Sequence, residues 1–410
     1  MYKIQVKTVR NFLFFLILGL GLFGGGFWLG QQKIKIDLAA RQKISVNRAL
    51  PPSKQNLDFT LFWEVWDKLQ QDYLIKENID PSKMVYGAIR GMVEAVGDPY
   101  TTFLPPSEQK RTREDLSGSF EGVGIEIGFR GTQLAVIAPL AGTPAQKSDV
   151  RAGDYILFIK DEGRDIKKGT VGLDLISAVE AIRGPAGTTV TLTLAREDVA
   201  RPFEVNITRQ KINIPSVTLE FVGEKKNIAH LKLSRFGDTT NKEWNEKVGQ
   251  IVANKDVRGI VLDVRNNPGG YLTGAISLAS EFVRNGTVVI QEDSKGNRQN
   301  FPASGRGKLT DMPVAVLISK GSASASEILA GALRDNKRAK LVGETSFGKG
   351  TIQEAEELSD GAGLHITTAK WLTPNGTWVH EKGLEPDIKV EDKNDTEIDE
   401  QLNEAVKLLQ

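Results

Sequence analysis

From about Ile212 onward, short apolar runs alternate with segments of helical periodicity, and this alternation narrows the possible folds more than any other feature of the chain. Ile228–Leu233 and Gly259–Asp263 read as strands, with a helical stretch over Trp244–Ile251 between them. Leu272, Ala275, Ile276, Ala279 and Phe282 line a second helix. Val288–Ile290 form a strand core, and Val314–Ile318 and Leu341-Val342 are two further strands. Strands alternating with helices predict an α/β domain whose mixed sheet is covered on both faces. Ligands of such sheets sit beyond the carboxyl ends of the strands. Two loops leave such ends: Asp263–Gly270, DVRNNPGG, and Gly321–Ser326, GSASAS.

The second loop opens the stretch Ser319–Gln353. A strand, a tight turn and the start of a helix over Glu327–Leu333 place hydroxyls at a helix N-terminus, where backbone N–H groups are unpaired. That is how a serine nucleophile is presented. Ser322, Ser324 and Ser326 all stand there, and physical reasoning alone does not rank them. A base must come from elsewhere. The chain has no cysteine, and its three histidines, His230, His365 and His380, form no spaced motif and read as structural or surface residues. Lys349, between Gly348 and Gly350, is the candidate. To accept a proton its pKa must fall far below the reference of about 10.4, through burial in an apolar site. GETSFGKGT faintly suggests a phosphate-binding loop, but Gly350 follows the lysine before Thr351, so that spacing fails. Glu327 suits the first helical turn and reads as structural. Asp263 and Arg265 are expected to shape their loop, as a pair.

At 410 residues two or three domains are expected. A formal net charge of +1 gives no support for a nucleic-acid surface. Without cysteine, disulfides, thiol chemistry and Cys-ligated metals are excluded, and no metal or other cofactor is expected. Phe12–Gly30 carries no charge, and its nineteen residues are long enough to cross a bilayer as a slightly tilted helix. Lys3, Lys7 and Arg10 precede it without an acid, which predicts a cytoplasmic tail (1–30 with the anchor) and an extracytoplasmic bulk at a bacterial cell membrane. An uncleaved single-pass anchor is favoured over a cleaved signal peptide, for which Leu38-Ala39-Ala40 is a weak site.

Residues 31–57 read as a linker and 58–117 as a small helical unit. Phe62, Val65, Trp66, Leu69 and Tyr73 recur at helical spacing. Asp80 and Pro81 start a second helix with Met84, Ala88, Ile89, Met92, Val93 and Val96 on one face, ended by Gly97-Asp98-Pro99. Residues 118–209 change to short strands and turns around one main helix, Leu173–Ile182. The α/β domain follows over 210–391, and Ile398, Leu402, Ala405 and Leu409 mark a C-terminal helix within 392–410 that packs back on the body. The terminal helices are candidate surfaces for homo-oligomerisation.

FEGVGIEI at 120–127, PLAGTPAQKSDVRAGDYILFI at 139–159 and AIRGPAGTTVTLTLAR at 181–196 resemble a PDZ domain. The resemblance implies that the loop Gly122, Val123, Gly124 holds the free carboxylate of a peptide, which adds as a strand between Ile125 onward and the helix Leu173–Ile182. Glycines there let N–H groups converge without a Cβ in the way. A β-rich structural domain is the plainer alternative.

DVRNNPGG at 263–270, GSASASEI at 321–328, GETSFGKGTIQ at 343–353 and TPNGTWVHEKGLEPDI at 373–388 together resemble a carboxyl-terminal processing peptidase of the serine–lysine type, over roughly residues 60 to 390. The resemblance implies a serine endopeptidase that cleaves exported or membrane-associated proteins near the C-terminus after recognising the tail. It makes Ser324 the nucleophile, Lys349 the general base and Gln353 its orienting partner. A glutamine can bond the amine without adding charge, where an acid would raise the lysine pKa. It also places the oxyanion donors at Ala325 and in the Gly269-Gly270 turn. Envelope proteins, a membrane-bound signalling protein or damaged proteins are candidate substrates. The domain order suggests that the PDZ-like segment covers the site until a tail binds. The rival from another class is a membrane-anchored PDZ scaffold with an inactive peptidase domain.

Overall fold

The computed structural model describes residues 58–391 and 398–410. They belong to two compact units, one ending at Val85 and the other running from Tyr86 to Gln410. In the first, α1 (Thr60–Asp72) gathers its aromatic residues: the Phe62 and Trp66 rings stack at 6.2 Å, and Trp63 meets Phe62 edge-on at 4.9 Å. α2 (Pro81–Glu94) begins there as the sequence predicts, with Asp80 Oδ1 accepting from the N–H groups of Ser82 and Lys83 at 2.9 and 3.2 Å.

The second unit opens with the rest of α2. Tyr86, Ile89 and Val93 pack with Phe103 and Ala362. Met92 and Val96, expected on the same face, are exposed, because the apolar stripe is wider than the small cluster that covers it. Next come β1 (Thr102–Leu104), α3 (Pro106–Ser117) and β2 (Ser119–Gly122). A six-stranded antiparallel sheet follows: β3 (Ile125–Arg130), β4 (Gln133–Pro139), a short α4 (Pro144–Lys147), β5 (Tyr155–Asp161), β6 (Ile166–Gly169), α5 (Leu175–Ile182), β7 (Thr189–Ala195) and β8 (Phe203–Thr208). Its order is β3-β4-β5-β7-β8, with β6 beside β5, so β3 is an edge strand. Leu134, Ile156, Ile159, Leu192, Leu194 and Ile207 centre its core. β9 (Gln210–Asn213) then pairs antiparallel with β2, so the chain leaves and re-enters this β-rich part along one two-stranded stem.

The α/β part comprises β10 (Val217–Val222), β11 (Ile228–Leu233), α6 (Thr240–Ala253), β12 (Gly259–Asp263), α7 (Leu272–Ser280), β13 (Thr287–Asp293), β14 (Arg298–Pro302), β15 (Val314–Ile318), α8 (Ala325–Asp335), β16 (Ala339–Gly343), β17 (Thr351–Glu357), β18 (Gly363–Leu372), β19 (Ile388–Lys389) and α9 (Glu400–Lys407). Its main sheet runs β10-β11-β12-β15-β16-β19, parallel throughout except for β10, and is thus the mixed sheet expected. The larger core, with Trp244, Phe282 and Leu329, covers one face, and Ala405 and Val406 of α9 cover the other beside Val261, Ala315 and Leu317. Within the terminal stripe Ile398 is exposed and Val406 takes the buried place.

A second sheet was not expected. β13 and β14 join β1, β17 and β18 in an antiparallel sheet of five strands. β17 and β14 are mostly exposed and polar, so neither shows the apolar alternation that marks a strand in sequence.

The expectation of a fold that includes a transmembrane helix is corrected. Among the described residues no helix is long and apolar enough to cross a membrane. The longest, α2 and α6, have 14 residues, about 21 Å of helix against a hydrocarbon core of about 30 Å. What is described is an α/β fold with a mixed sheet and an attached β-rich part. The span expected over Phe12–Gly30 lies outside the described residues.

Candidate active site

The strand β15 is buried along its whole length and ends at Ile318. The loop beyond it is stitched to the turn that follows β12. Ser322 Oγ donates to the Val264 carbonyl at 2.8 Å, and Ser326 Oγ to the Asn267 carbonyl at 2.9 Å. The Ala323 N–H also donates to Asn267 O, at 3.0 Å, and the Asn266 N–H donates to Ser319 Oγ at 3.0 Å. Ser322 and Ser326 are fully buried. Ser324 between them is half-buried and lines a cavity of about 610 Å³. The three serines, equivalent by residue type and spacing, are therefore separated by their bonds: two join loops, and one faces open space. Ser324 has φ 56° and ψ −115°, a region that costs a residue with a side chain about 1–3 kcal/mol. The bonds on either side hold it there, at the head of α8.

The turn 268–270 packs directly against this serine. A Cβ on Gly269 would lie 2.9 Å from Ser324 Cβ and 3.0 Å from the Ala325 nitrogen, so only glycine allows the approach. The Gly269 N–H donates to Asn267 Oδ1 at 2.9 Å. Among the described residues the N–H groups of Gly270 and Ala325 make no hydrogen bond, and both residues line the cavity with Ser324. Of the three expected donors, two are thus available to an anion and Gly269 is engaged. Asp263 and Arg265 do pair, at 2.7 Å. Arg265 also bonds both carboxylate oxygens of Asp399, at 2.9 and 2.8 Å, and His230 Nε2 lies 3.0 Å from Asp263. Burial alone would raise the Asp263 pKa. The hydrogen bonds from His230 and Arg265 outweigh it and hold the carboxyl well below the usual range.

Lys349 reaches the same cavity from the approach to β17. Its backbone is enclosed by Trp371, Trp378 and the run 380–383. The Trp371 and Trp378 indoles donate to the carbonyls of Lys349 and Gly350 at 2.9 and 2.8 Å. A Cβ on Gly348 would lie 2.8 Å from the Gly383 nitrogen, and one on Gly350 2.8 Å from the His380 nitrogen. Both glycines flanking the lysine are required for this close passage. Burial lowers the Lys349 pKa, against the raising effect of Asp98 and Glu327. Among the described residues the amine makes no hydrogen bond and no ion pair. Its Nζ lies 5.2 Å from the centroid of the Tyr100 ring.

Glu327 links the two loops. Fully buried, its carboxylate accepts from the Ser324 N–H at 2.8 Å, the Gly348 N–H at 2.7 Å, the Lys349 N–H at 3.0 Å and the Ser346 hydroxyl at 2.6 Å. Burial raises its pKa while these four donors lower it. Its place in the sequence suggests only a helix-end residue. A glutamate three residues after a serine at a helix start is a capping-box signal, but nothing local announces that the same carboxylate also binds the lysine loop.

Gln353 lines the cavity, and its amide nitrogen donates to the hydroxyls of Thr351 and Thr367 at 2.9 and 3.0 Å. His365, expected to be structural or on the surface, lines the cavity too. The remaining expected residues stand elsewhere. Gly122 ends β2, and Val123 and Gly124 lead into the edge strand β3. Gly124 has φ 78°, and Thr143 Oγ1 donates to its carbonyl at 3.1 Å. Among the described residues the Val123 and Gly124 N–H groups are unpaired.

Residues 227–390 match the peptidase family S41, and residues 17–106 match the N-terminal domain of the activating protease CtpB. The carboxy-terminal processing protease CtpA of Bacillus subtilis (strain 168) is 36% identical over 80% of this chain and 68% of its own length. The carboxyl-terminal-processing protease of Synechocystis sp. (strain ATCC 27184 / PCC 6803 / Kazusa) is 35% identical over 90% of this chain and 86% of its own. The solved structure of a candidate S41 protease from Bacteroides fragilis NCTC 9343, 15% identical, shares the fold with a TM-score of 0.55, over 89% of this chain and 98% of that one. These relatives show the family: the chain belongs to peptidase family S41 as a carboxy-terminal processing protease, a serine peptidase acting on the C-terminal regions of protein substrates.

Proposed function

We propose that Ser324 is the nucleophile and Lys349 its general base, and that the N–H groups of Gly270 and Ala325 receive the oxyanion. The observation that carries this is the shared cavity: Ser324, Lys349, Gly270 and Ala325 line it together, while the neighbouring serine hydroxyls are bonded to carbonyls. Neutral Lys349 takes the Ser324 proton as Oγ attacks the scissile carbonyl. The ammonium then returns the proton to the leaving amine, and water hydrolyses the acyl-enzyme by the same route. Gln353 belongs to this machinery as a neutral partner at the base side of the cavity, held by Thr351 and Thr367.

The β-rich part is proposed to act as a PDZ domain that takes the substrate tail. Its support is an edge strand, β3, beside α5, preceded by two N–H groups, of Val123 and Gly124, that are unpaired among the described residues. Exported or membrane-associated proteins are the proposed substrates. The basic residues Lys3, Lys7 and Arg10 ahead of an uncharged apolar run support an extracytoplasmic location. Protease accessibility in intact cells tests the location.

The chemistry is tested with Ser324→Ala and Lys349→Ala, assayed on a loosely folded protein ending in an apolar tail. Each variant is expected to lose activity by about 10⁴-fold or more. Cleavage at the parent rate by either one contradicts the assignment.

A further inference from the structure

Lys349 lines the cavity, but its amine also meets a residue that does not. Tyr100, whose ring centroid lies 5.2 Å from Nζ, is absent from the cavity lining. It stands in the turn between α2 and β1, and the turn is tied down residue by residue. Asp98 Oδ1 accepts from the Tyr100 N–H at 3.1 Å, and Asp98 Oδ2 from the Thr101 hydroxyl at 2.6 Å. Thr101 Oγ1 accepts in turn from the Thr367 N–H at 3.1 Å, on β18. The ring is also braced from the opposite element. His380 meets it edge-on at 5.9 Å and is stacked at 4.9 Å on Trp378, the same indole that bonds the Gly350 carbonyl.

We propose that Tyr100 is a positioning residue for the base: its ring closes the wall behind the Lys349 amine and keeps water from that side, leaving the amine open only to the cavity. The proposal rests on the assignment of Lys349 as general base. An amine denied water gives up its proton more readily, and burial is the largest influence on Lys349. The charged and titratable groups around it are Asp98 on the turn, Glu327 on α8 and His365 on β18, the last lowered by burial and by Lys349. Asp98 and Glu327 favour the ammonium, so water exclusion has to outweigh them. A cation 5.2 Å from a ring centroid lies within the distance of about 6 Å at which the ring face attracts it, which also favours the ammonium, so water exclusion has to outweigh this attraction too. In the proposal the ring acts by excluding water, and its hydroxyl has no part.

The test uses the full chain as Tyr100→Phe and Tyr100→Ala, with two readouts. One is kcat/KM against pH on a loosely folded protein substrate. The other is acetylation of Lys349 by acetic anhydride against pH, read by mass spectrometry in the Ser324→Ala background, which reports the amine whether or not it is the base. In Tyr100→Ala the labelling midpoint is expected to rise by about one pH unit or more. Its kcat/KM at pH 7 is expected to fall about tenfold or more, with the loss shrinking toward alkaline pH. Tyr100→Phe is expected to match the parent in both. Should Tyr100→Ala lose its cooperative melt, Tyr100→Gln, which keeps bulk but brings a hydrated polar group to the wall, carries the same comparison. An unchanged labelling midpoint, or an activity loss equal at every pH, overturns the proposal. A labelling midpoint that moves while the kcat/KM profile stays in place upholds the wall and instead contradicts Lys349 as the base.

Discussion

Ser324 leaves a parallel sheet whose strands β12 and β15 are buried along their whole length, whereas Lys349 leads into β17, an antiparallel strand that is half-buried for three residues and exposed after that. The first loop is positioned by short hydrogen bonds between two neighbouring turns, through Ser319, Ser322, Ser326 and Asn267. The second is positioned by enclosure, with two indoles on its carbonyls and backbone from 380–383 against its glycines. The difference suits the two proposed tasks. A nucleophile needs a fixed direction of attack, which bonds give. A lysine base needs a shifted pKa, which requires burial. Glu327 is where the two modes of construction meet.

If Glu327 joins the sides, removing it should do the most damage. Glu327→Ala leaves four donors without their acceptor, two of them buried and two half-buried. Activity is expected to drop about 10³-fold, and stability by about 3 kcal/mol or more, at about 1–3 kcal/mol per unsatisfied group. Denaturant melts and steady-state kinetics check both. An active, stable Glu327→Ala would separate the two sides.

Disturbing the base side alone should spare the fold of the serine side. Gly350→Ala drives a Cβ toward the His380 nitrogen and the Trp378 indole, each under 3.0 Å away. About a 10²-fold loss of kcat is expected from a displacement near 1 Å, with kcat the parameter to measure.

Arg265 tests the serine side from behind, through the turn that carries Gly269 and Gly270. Arg265→Ala leaves Asp263 buried without its main partner, at a cost of about 3–5 kcal/mol, and about a tenfold loss of activity is expected through the turn. The pH sign follows from the depressed pKa of Asp263. Its stabilisation is present above the ordinary aspartate value of about 3.9 and is lost as pH falls through the folded value. The variant should therefore unfold at a higher pH than the parent during acid titration, which circular dichroism follows.

The smallest effect should come from Ser326→Ala. It removes one buried hydrogen bond to Asn267 and is expected to cost about 1–2 kcal/mol with kcat kept within about threefold. A loss of activity on the scale expected for Ser324→Ala would undo the ranking of the serines.

The same contrast explains how much of the fold and the site is legible in the sequence. Buried parallel strands are near-continuous apolar runs, so β12 and β15, and the loops that leave them, stand out from residue order alone. The sheet that carries Gln353 and His365 does not, because TIQEAEE shows no apolar period and gains its place only by pairing with β18. The glycines around Lys349 are legible as points of close approach, but what approaches them lies about 30 residues later. Glu327 is visible as a cap and hidden as a link, because its second set of donors comes from another loop. Tyr100 is remote in sequence from the lysine it covers, and no local pattern connects them.

The central claim is that Ser324 carries the acyl group while Lys349 makes it reactive. The most direct measurement is to react the full chain with an activated peptide ester, quench in acid and locate the acyl group by mass spectrometry. The predicted result is acylation of Ser324 in the parent and little or none at neutral pH in Lys349→Ala. Acylation of Ser322 or Ser326, or equal labelling of Ser324 with and without Lys349, would contradict it.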